Sequence, residues 1–264
     1  MLILPPSLFN LIKLLEHPSH STLCPTLAPM FPISPSKSVP RPLYSNSELP
    51  FTSSGSIYHL GLCAGQLANR IVTVGDPQRA LLLSKLLTNP CTQTSHRLFT
   101  VVSGQWKGIA VSIVSIGMGY PNMEIFIREA RAVTLGTLWI IRLGSCGSLS
   151  PNVPLASFVI PSKGCTRAIM DIQECEELLI SPSFIFPDCN LTASLKQSLP
   201  SSFCTKHCSC DTFYHSQGRH SEDFEGDAFK VRDKLGEYGI ETLEMETFLA
   251  FVFCWQVQVW EGGD

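Results

Sequence analysis

From about residue 58 onward, short apolar runs that stop at glycine or proline alternate with longer stretches of helical spacing. Ile71-Val72-Thr73-Val74 predicts a buried strand broken by Gly75-Asp76-Pro77, and residues 78–87 predict a helix with proline close to its first turn. Residues 97–103 and 109–115 alternate or run apolar on either side of Gly104-Gln105-Trp106-Lys107-Gly108, the pattern of a β-hairpin. Gly117-Met118-Gly119 then leads into a helix over 121–134. Residues 138–143 read as another buried strand, ending in the loop Gly144-Ser145-Cys146-Gly147-Ser148, and 157–161 as one more. A helix over 227–238 closes at Gly239. Strands that end in glycine-rich loops, with helices between them, predict an α/β fold: a central mixed β-sheet covered on both faces, as a three-layer α/β/α sandwich. Ligands in such sheets collect at the strand ends, where the unusual residues of this chain fall.

Before residue 58 the pattern is absent. Residues 1–57 are rich in Pro and Ser, as in Pro25-Thr26-Leu27-Ala28-Pro29, and proline both removes backbone donors and restricts its neighbours. A disordered N-terminal segment is expected there, with at most a short helix over 9–16, followed by one domain over 58–253 and a divergent tail over 254–264.

Composition narrows the function classes. A formal net charge of -3 gives no basic footprint for nucleic acid or anionic lipid, so the expected partners are small molecules or copies of the chain itself. The 11 cysteines are odd in number and scattered, which predicts reduced thiols in a cytoplasmic protein. The apolar start Met1-Leu2-Ile3-Leu4 is interrupted by Pro5 and Pro6, and no apolar run approaches the roughly 18 residues of a membrane span.

Four clusters can carry chemistry. Gly75-Asp76-Pro77-Gln78-Arg79 stands at a strand-to-helix turn, where glycine lets backbone N–H groups approach an anion, although this composition also suits a plain turn. Ser95-His96-Arg97 enters a strand, where the arginine also reads as an edge charge. Arg142 sits inside an otherwise buried strand, a costly position unless its charge is paired or faces a site, and Ser145 and Gly147 follow it with a hydroxyl and backbone donors. The fourth cluster pairs Phe213 to Arg219 with Leu243-Glu244-Met245-Glu246-Thr247. Gln217 donates and accepts in one plane and Arg219 offers a planar fork, which suits a flat heterocycle with neighbouring carbonyl and imide groups. Glu246 can accept two sugar hydroxyls, or can be an ordinary helix-start carboxylate. Cys204, His207, Cys208 and Cys210 lack a second ligand pair at finger-like spacing, so thiols on a buried strand are the expectation rather than zinc. Gly117-Met118-Gly119 lacks the acidic residue of a dinucleotide fingerprint.

Taken in order, Tyr58-His59-Leu60-Gly61-Leu62, Val74-Gly75-Asp76-Pro77-Gln78-Arg79, Ser95-His96-Arg97-Leu98-Phe99-Thr100, Ile141-Arg142-Leu143-Gly144-Ser145, Asp211-Thr212-Phe213-Tyr214, Gln217-Gly218-Arg219 and Glu244-Met245-Glu246 resemble the nucleoside phosphorylase family, and within it the uridine phosphorylases. The resemblance implies that Gly75, Arg79, Arg142 and Ser145 bind phosphate, with Arg97 reaching the phosphate of a neighbouring subunit. It implies that His59 crosses a dimer interface to the ribose, that Met245 and Glu246 hold the ribose, and that Phe213, Gln217 and Arg219 take the base. It further implies reversible phosphorolysis of uridine, no metal or organic cofactor, inorganic phosphate as co-substrate, and symmetric oligomers built from dimers, often hexamers. Beside that reading stand a purine nucleoside phosphorylase and an inactive nucleoside-binding relative. Against the family pattern, the domain is expected to be C-terminally incomplete after Phe253.

Overall fold

The computed structural model describes residues 48–171, 178–220, 222–223 and 227–258, so the expected helix over 9–16 and most of the expected disordered segment lie outside the described residues. The first half of the fold is a five-stranded sheet: β1 (Arg70–Val74), β2 (Thr88–Thr94), β3 (Thr100–Trp106), β4 (Ile109–Ser115) and β5 (Trp139–Arg142), in the order β2-β3-β4-β1-β5. β1 runs parallel to β4 and β5, whereas β3 is antiparallel to both β2 and β4.

Two helices connect these strands, α1 (Pro77–Ser84) and α2 (Tyr120–Val133). α1 starts where Asp76 accepts the Gln78 N–H at 2.8 Å and Pro77 occupies the first turn, and it buries Ala80 and Leu83. The alternation of β1 sends Ile71 into a core shared with Met123, Phe126 and Ala130 of α2, and Val72 and Val74 into one shared with Ala80 and Leu83 of α1. Each such aliphatic side chain contributes roughly 1.5–3 kcal/mol on burial, so both faces of β1 are held by packing.

The β3–β4 hairpin turns through Lys107 and Gly108 alone, with φ of 49° and 82°, the left-handed pair of a type I′ turn. Gly104, Gln105 and Trp106, expected in the loop, therefore extend β3, and the strand expected from residue 97 begins at Thr100 after a turn at Leu98. β2 has no counterpart among the expected elements.

The second half is another five-stranded sheet, made of β6 (Gly147–Ser148), β8 (Cys165–Met170), β9 (Leu178–Ile180), β11 (His207–Cys210) and β12 (Thr242–Glu244) in the order β6-β12-β11-β8-β9, with β8, β11 and β12 parallel. β7 (Val159–Ile160), at the expected strand over 157–161, pairs with β10 (Phe203–Cys204). Three helices complete the chain: α3 (Cys189–Ser198), α4 (Ala228–Glu237) and α5 (Thr247–Gln258). α4 opens on Asp227, which accepts the Phe229 and Lys230 N–H groups. It closes on Gly239 at φ 69°, with Ile240 N–H on the Leu235 carbonyl and Gly239 N–H on that of Gly236, a Schellman cap.

The architecture is thus mixed β-sheet with flanking helices, as expected, divided over two main sheets among the described residues. The packed region reaches back past the expected boundary at Tyr58, since Ile57 is fully buried and Leu49 packs on the same core. At the other end α5 runs past Phe253 to Gln258. No helix among the described residues is long and apolar enough to cross a membrane.

Candidate active site

Because β4, β1 and β5 are parallel neighbours, the loops that follow them, 116–119, 75–79 and 143–147, emerge at one edge of the first sheet. Backbone bonds join two of these loops: Gly117 N–H donates to the Gly75 carbonyl at 3.0 Å. A Cβ on Gly75 would meet the Gly117 carbonyl at 3.3 Å, so glycine permits this close approach. Arg79, at the first turn of α1, has no hydrogen-bonding or ionic partner among the described residues, and Ser145 is exposed on its loop.

Arg142 lies at the end of β5 opposite Thr73 of β1, on the face that carries α2 and α5. Its Nε donates to Glu244 at 3.3 Å and its Nη2 to Glu246, while Nη1 is buried without a partner among the described residues. The guanidinium folds beneath Gly144, where an added Cβ would stand 3.1 Å from Nη2. Glu246 also accepts the Gly119 N–H at 2.6 Å, which ties the 116–119 loop to the start of α5. Glu244 accepts the N–H groups of Glu246 at 2.8 Å and Thr247 at 2.9 Å, a donor from Ser209 Oγ, and faces His207 Nε2 at 3.3 Å. The helix-start role considered for Glu246 therefore falls to Glu244.

The two carboxyls are driven in opposite directions. Burial alone would raise both. For Glu244 it is outweighed by the hydrogen bond and charge of His207 and the charge of Arg142, which hold the group well below the usual carboxylate range. For Glu246, burial dominates; Arg142 opposes it, Glu244 adds to it, and the carboxyl is pushed up to about 7.

Phe213, Gln217 and Arg219 form one unit after β11. The Arg219 guanidinium stacks 4.1 Å from the Phe213 ring centroid, donates through Nε to the Phe213 carbonyl at 3.1 Å, and reaches Gln217 Oε1 at 3.4 Å. Gln217 is buried, and its amide N–H₂ remains the group able to donate onward. A Cβ on Gly147 would lie 4.0 Å from Arg219 Nη2, so this unit abuts the loop that follows Arg142.

His59 and Arg97 gather separately. The Arg97 guanidinium lies 5.8 Å over the Tyr58 ring, Tyr58 meets His96 edge-on at 4.8 Å, and His59 Nδ1 lies 2.5 Å from Glu129 Oε1 on α2. Neither residue bonds to Arg142, Glu246 or Arg219 within the chain. The N-terminal end of β3 pairs with the C-terminal end of β4, so Arg97 stands at the same end of the sheet, displaced sideways.

Sequence reasoning gave no role to Gly119, Tyr120, Ser209 or Glu244. Tyr120 Oη donates to the Ser209 carbonyl at 2.5 Å, joining α2 to the second sheet, and burial pushes its phenol far up. The Gly-x-Gly pattern at the end of β4 was the available signal for Gly119. Cys208 and Cys210 are fully buried side chains of β11, while His207 bonds to Thr242 Oγ1 at 2.7 Å. Among the described residues no three His, Cys, Asp or Glu side chains converge as a metal-holding group.

This edge, with a buried arginine between two carboxylates and an aromatic, amide and arginine unit beside it, is the candidate active site of an α/β protein. The model of the phosphorylase superfamily matches residues 69–259, and the chain belongs to that superfamily. It is similar to a uridine phosphorylase structure from the oomycete Phytophthora capsici, with 33% identity and a TM-score of 0.74 over 80% of this chain and 82% of the other. It is 27% identical to the uridine phosphorylase of Thermococcus kodakarensis over 77% of this chain and 73% of that protein. It is likewise 27% identical to a DeoD-type purine nucleoside phosphorylase of Streptococcus thermophilus, over 76% of this chain and 81% of that protein.

Proposed function

We propose that the chain is a uridine phosphorylase, a pentosyltransferase that reversibly converts uridine and phosphate to uracil and ribose 1-phosphate in cytoplasmic nucleoside catabolism and pyrimidine salvage. The observation that carries this reading is the Phe213, Gln217 and Arg219 unit set against the loop that begins at Arg142. A flat base stacked near Phe213 meets an amide and a guanidinium, the donors suited to uracil oxygens.

Cleavage of the bond from ribose C1′ to the base develops positive charge on the sugar and negative charge on the pyrimidine. Arg219 and Gln217 face the charge that grows on the base, and a phosphate held by Gly75, Arg79, Arg142 and Ser145 stabilises the cation and attacks it. The orphan Nη1 of Arg142 is a donor in need of an acceptor, which a phosphate oxygen supplies. Met245 and Glu246 fix the ribose so that C1′ stays in line with the phosphate. The chemistry calls for no metal or organic cofactor, and phosphate is a co-substrate. The Tyr58, His59 and Arg97 cluster, apart from its own chain's site, is the part donated to a second copy, in a homo-oligomer built from dimers.

Uridine incubated with the protein is expected to yield uracil and ribose 1-phosphate only when phosphate is present; equal cleavage in phosphate-free buffer would refute the proposal. A purine reading is favoured by one observation, the similarity to DeoD-type enzymes, and inosine as substrate separates the two. Thermal stabilisation by uridine plus phosphate without ribose 1-phosphate would instead mark an inactive binding relative.

A further inference from the structure

The second sheet presents two unlike faces. Cys208, Cys210 and Leu243 point into the core under α4, so by alternation His207 and Ser209 of β11, with Thr242 and Glu244 of β12, form a buried polar layer on the other side. In the candidate site Glu244 holds Arg142, and the proposed phosphorolysis gives His207 no part.

Hydrogen-bond accounting gives it one. His207 is 3% exposed, and its Nδ1 lies 2.7 Å from Thr242 Oγ1. Thr242 Oγ1 gives its own proton to Thr205 Oγ1 at 2.9 Å, so it can only accept from the imidazole. Nε2 faces Glu244 Oε1 at 3.3 Å, a second acceptor. An imidazole with acceptors at both nitrogens is satisfied only when both carry protons, as an imidazolium.

The neighbouring charges then balance. Glu244 meets His207 through Oε1 and Arg142 through Oε2, while Arg142 also meets Glu246. Cys165, the register partner of His207 on β8, keeps its proton because burial pushes its thiol up, and it adds no charge. Lys206, next in the chain, directs its ammonium to the Tyr238 carbonyl at 3.3 Å.

We propose that His207 is a positioning residue which acts through Glu244: by engaging one oxygen of that carboxylate, its charge leaves the Arg142 guanidinium free to attract an oxyanion. The inference rests on the phosphorolysis reading. Without the imidazolium, Glu244 and Glu246 both draw on the one guanidinium of Arg142, which then offers less of its charge to a phosphate dianion.

The test compares the full chain with His207→Gln, which keeps a donor toward Glu244, and His207→Asn, which keeps one toward Thr242. Both are expected to raise the KM for inorganic phosphate about tenfold, the order for one unit charge acting at an effective dielectric of about 20. The KM for uridine should stay within about twofold. In His207→Gln/Glu244→Gln, where both charges are gone, the phosphate KM should fall back several-fold from that of His207→Gln alone. A parallel rise in both KM values without recovery in the double variant indicates a merely structural residue and overturns the proposal, as does an unchanged phosphate KM. Calorimetric titration with inorganic phosphate separates the two readings. Binding that weakens in His207→Gln, in a chain that releases no uracil, overturns phosphorolysis alone; binding indifferent to His207→Gln overturns the role of His207.

Discussion

Glu244 and Glu246 are two residues apart, yet their surroundings give them opposite tasks. Glu244 is surrounded by donors, so it remains ionised and caps α5; Glu246 has fewer partners and is pushed up to about 7. The stability consequences differ in sign. Glu244, with its pKa depressed, contributes stability that is present above the ordinary carboxylate range and lost on acidification. Glu246, with its pKa raised, contributes stability that is present below the ordinary range and lost as pH rises through about 7. On the proposed ribose contact, the sugar hydroxyls need the ionised Glu246 carboxylate as acceptor, so kcat/KM for uridine is expected to climb with pH through about 7. Glu246→Gln should lower it about a hundredfold and remove that limb, yet at pH 8 melt no lower than the unmutated chain. A pH-rate profile beside a thermal melt checks both halves. Gly144 offers a second probe. An alanine Cβ would press on the Arg142 guanidinium from 3.1 Å, so Gly144→Ala is expected to raise the phosphate KM several-fold while the fold is kept. Little of this division was legible in the sequence. Arg142 stood out as a charge in an apolar strand, but which glutamate would cap the helix depends on Ser209 and His207, which the fold brings from another strand.

At the scale of elements, legibility followed periodicity. β1, α1, α2, β5 and α4 carry apolar runs or helical spacing bounded by Pro, Gly or a capping Asp, and each lies where those signals predict. β2 was invisible because Thr88-Asn89-Pro90-Cys91-Thr92-Gln93-Thr94 is exposed along its whole length and has no buried face to pattern it. Its place comes from edge pairing with β3, interrupted by a register shift between Thr88 and Cys91. The segment before β1 carries little pattern for a similar reason, and the domain boundary expected at residue 58 falls inside it. Its anchor is a distant carboxylate: buried Glu129 of α2 accepts the Leu60 N–H at 2.8 Å and the His59 N–H at 3.0 Å, besides His59 Nδ1. Removing that acceptor leaves buried donors unmet, so Glu129→Ala is expected to lose about 2–4 kcal/mol of stability by denaturant unfolding. Glu129→Gln, which still accepts through Oε1, should lose less than half as much. Equal losses would show that the segment is held by the apolar contacts of Ile57 and Leu60 instead.

At the scale of the whole molecule, the candidate site belongs to neither sheet. The first sheet supplies the loops with Gly75, Arg79 and Ser145 and the strand end with Arg142; the second supplies Phe213, Gln217, Arg219 and the Glu244 to Glu246 segment. Arg142 and Tyr120 bridge the two through Glu246 and Ser209. That convergence explains why clusters up to 171 residues apart, from Gly75 to Glu246, read as separate weak signals along the chain and as one edge in the fold. The Tyr58, His59 and Arg97 cluster is the part that the single chain leaves outside this edge, and on the proposed composite site it serves a second copy. Two exposed-arginine substitutions test that arrangement without disturbing a core. Arg97→Ala removes only the donated part, and Arg219→Ala only the resident part. Each alone is expected to lower kcat/KM about a hundredfold or more by withdrawing a charge from the reacting groups. When the two proteins are mixed and allowed to exchange subunits, about half of the dimers pair one variant with the other, and each such dimer holds one site with both arginines intact. About a quarter of the unmutated activity should therefore reappear, growing at the rate of subunit exchange. A mixture that stays as inactive as its components would place Arg97 in its own chain's site or outside the reaction altogether.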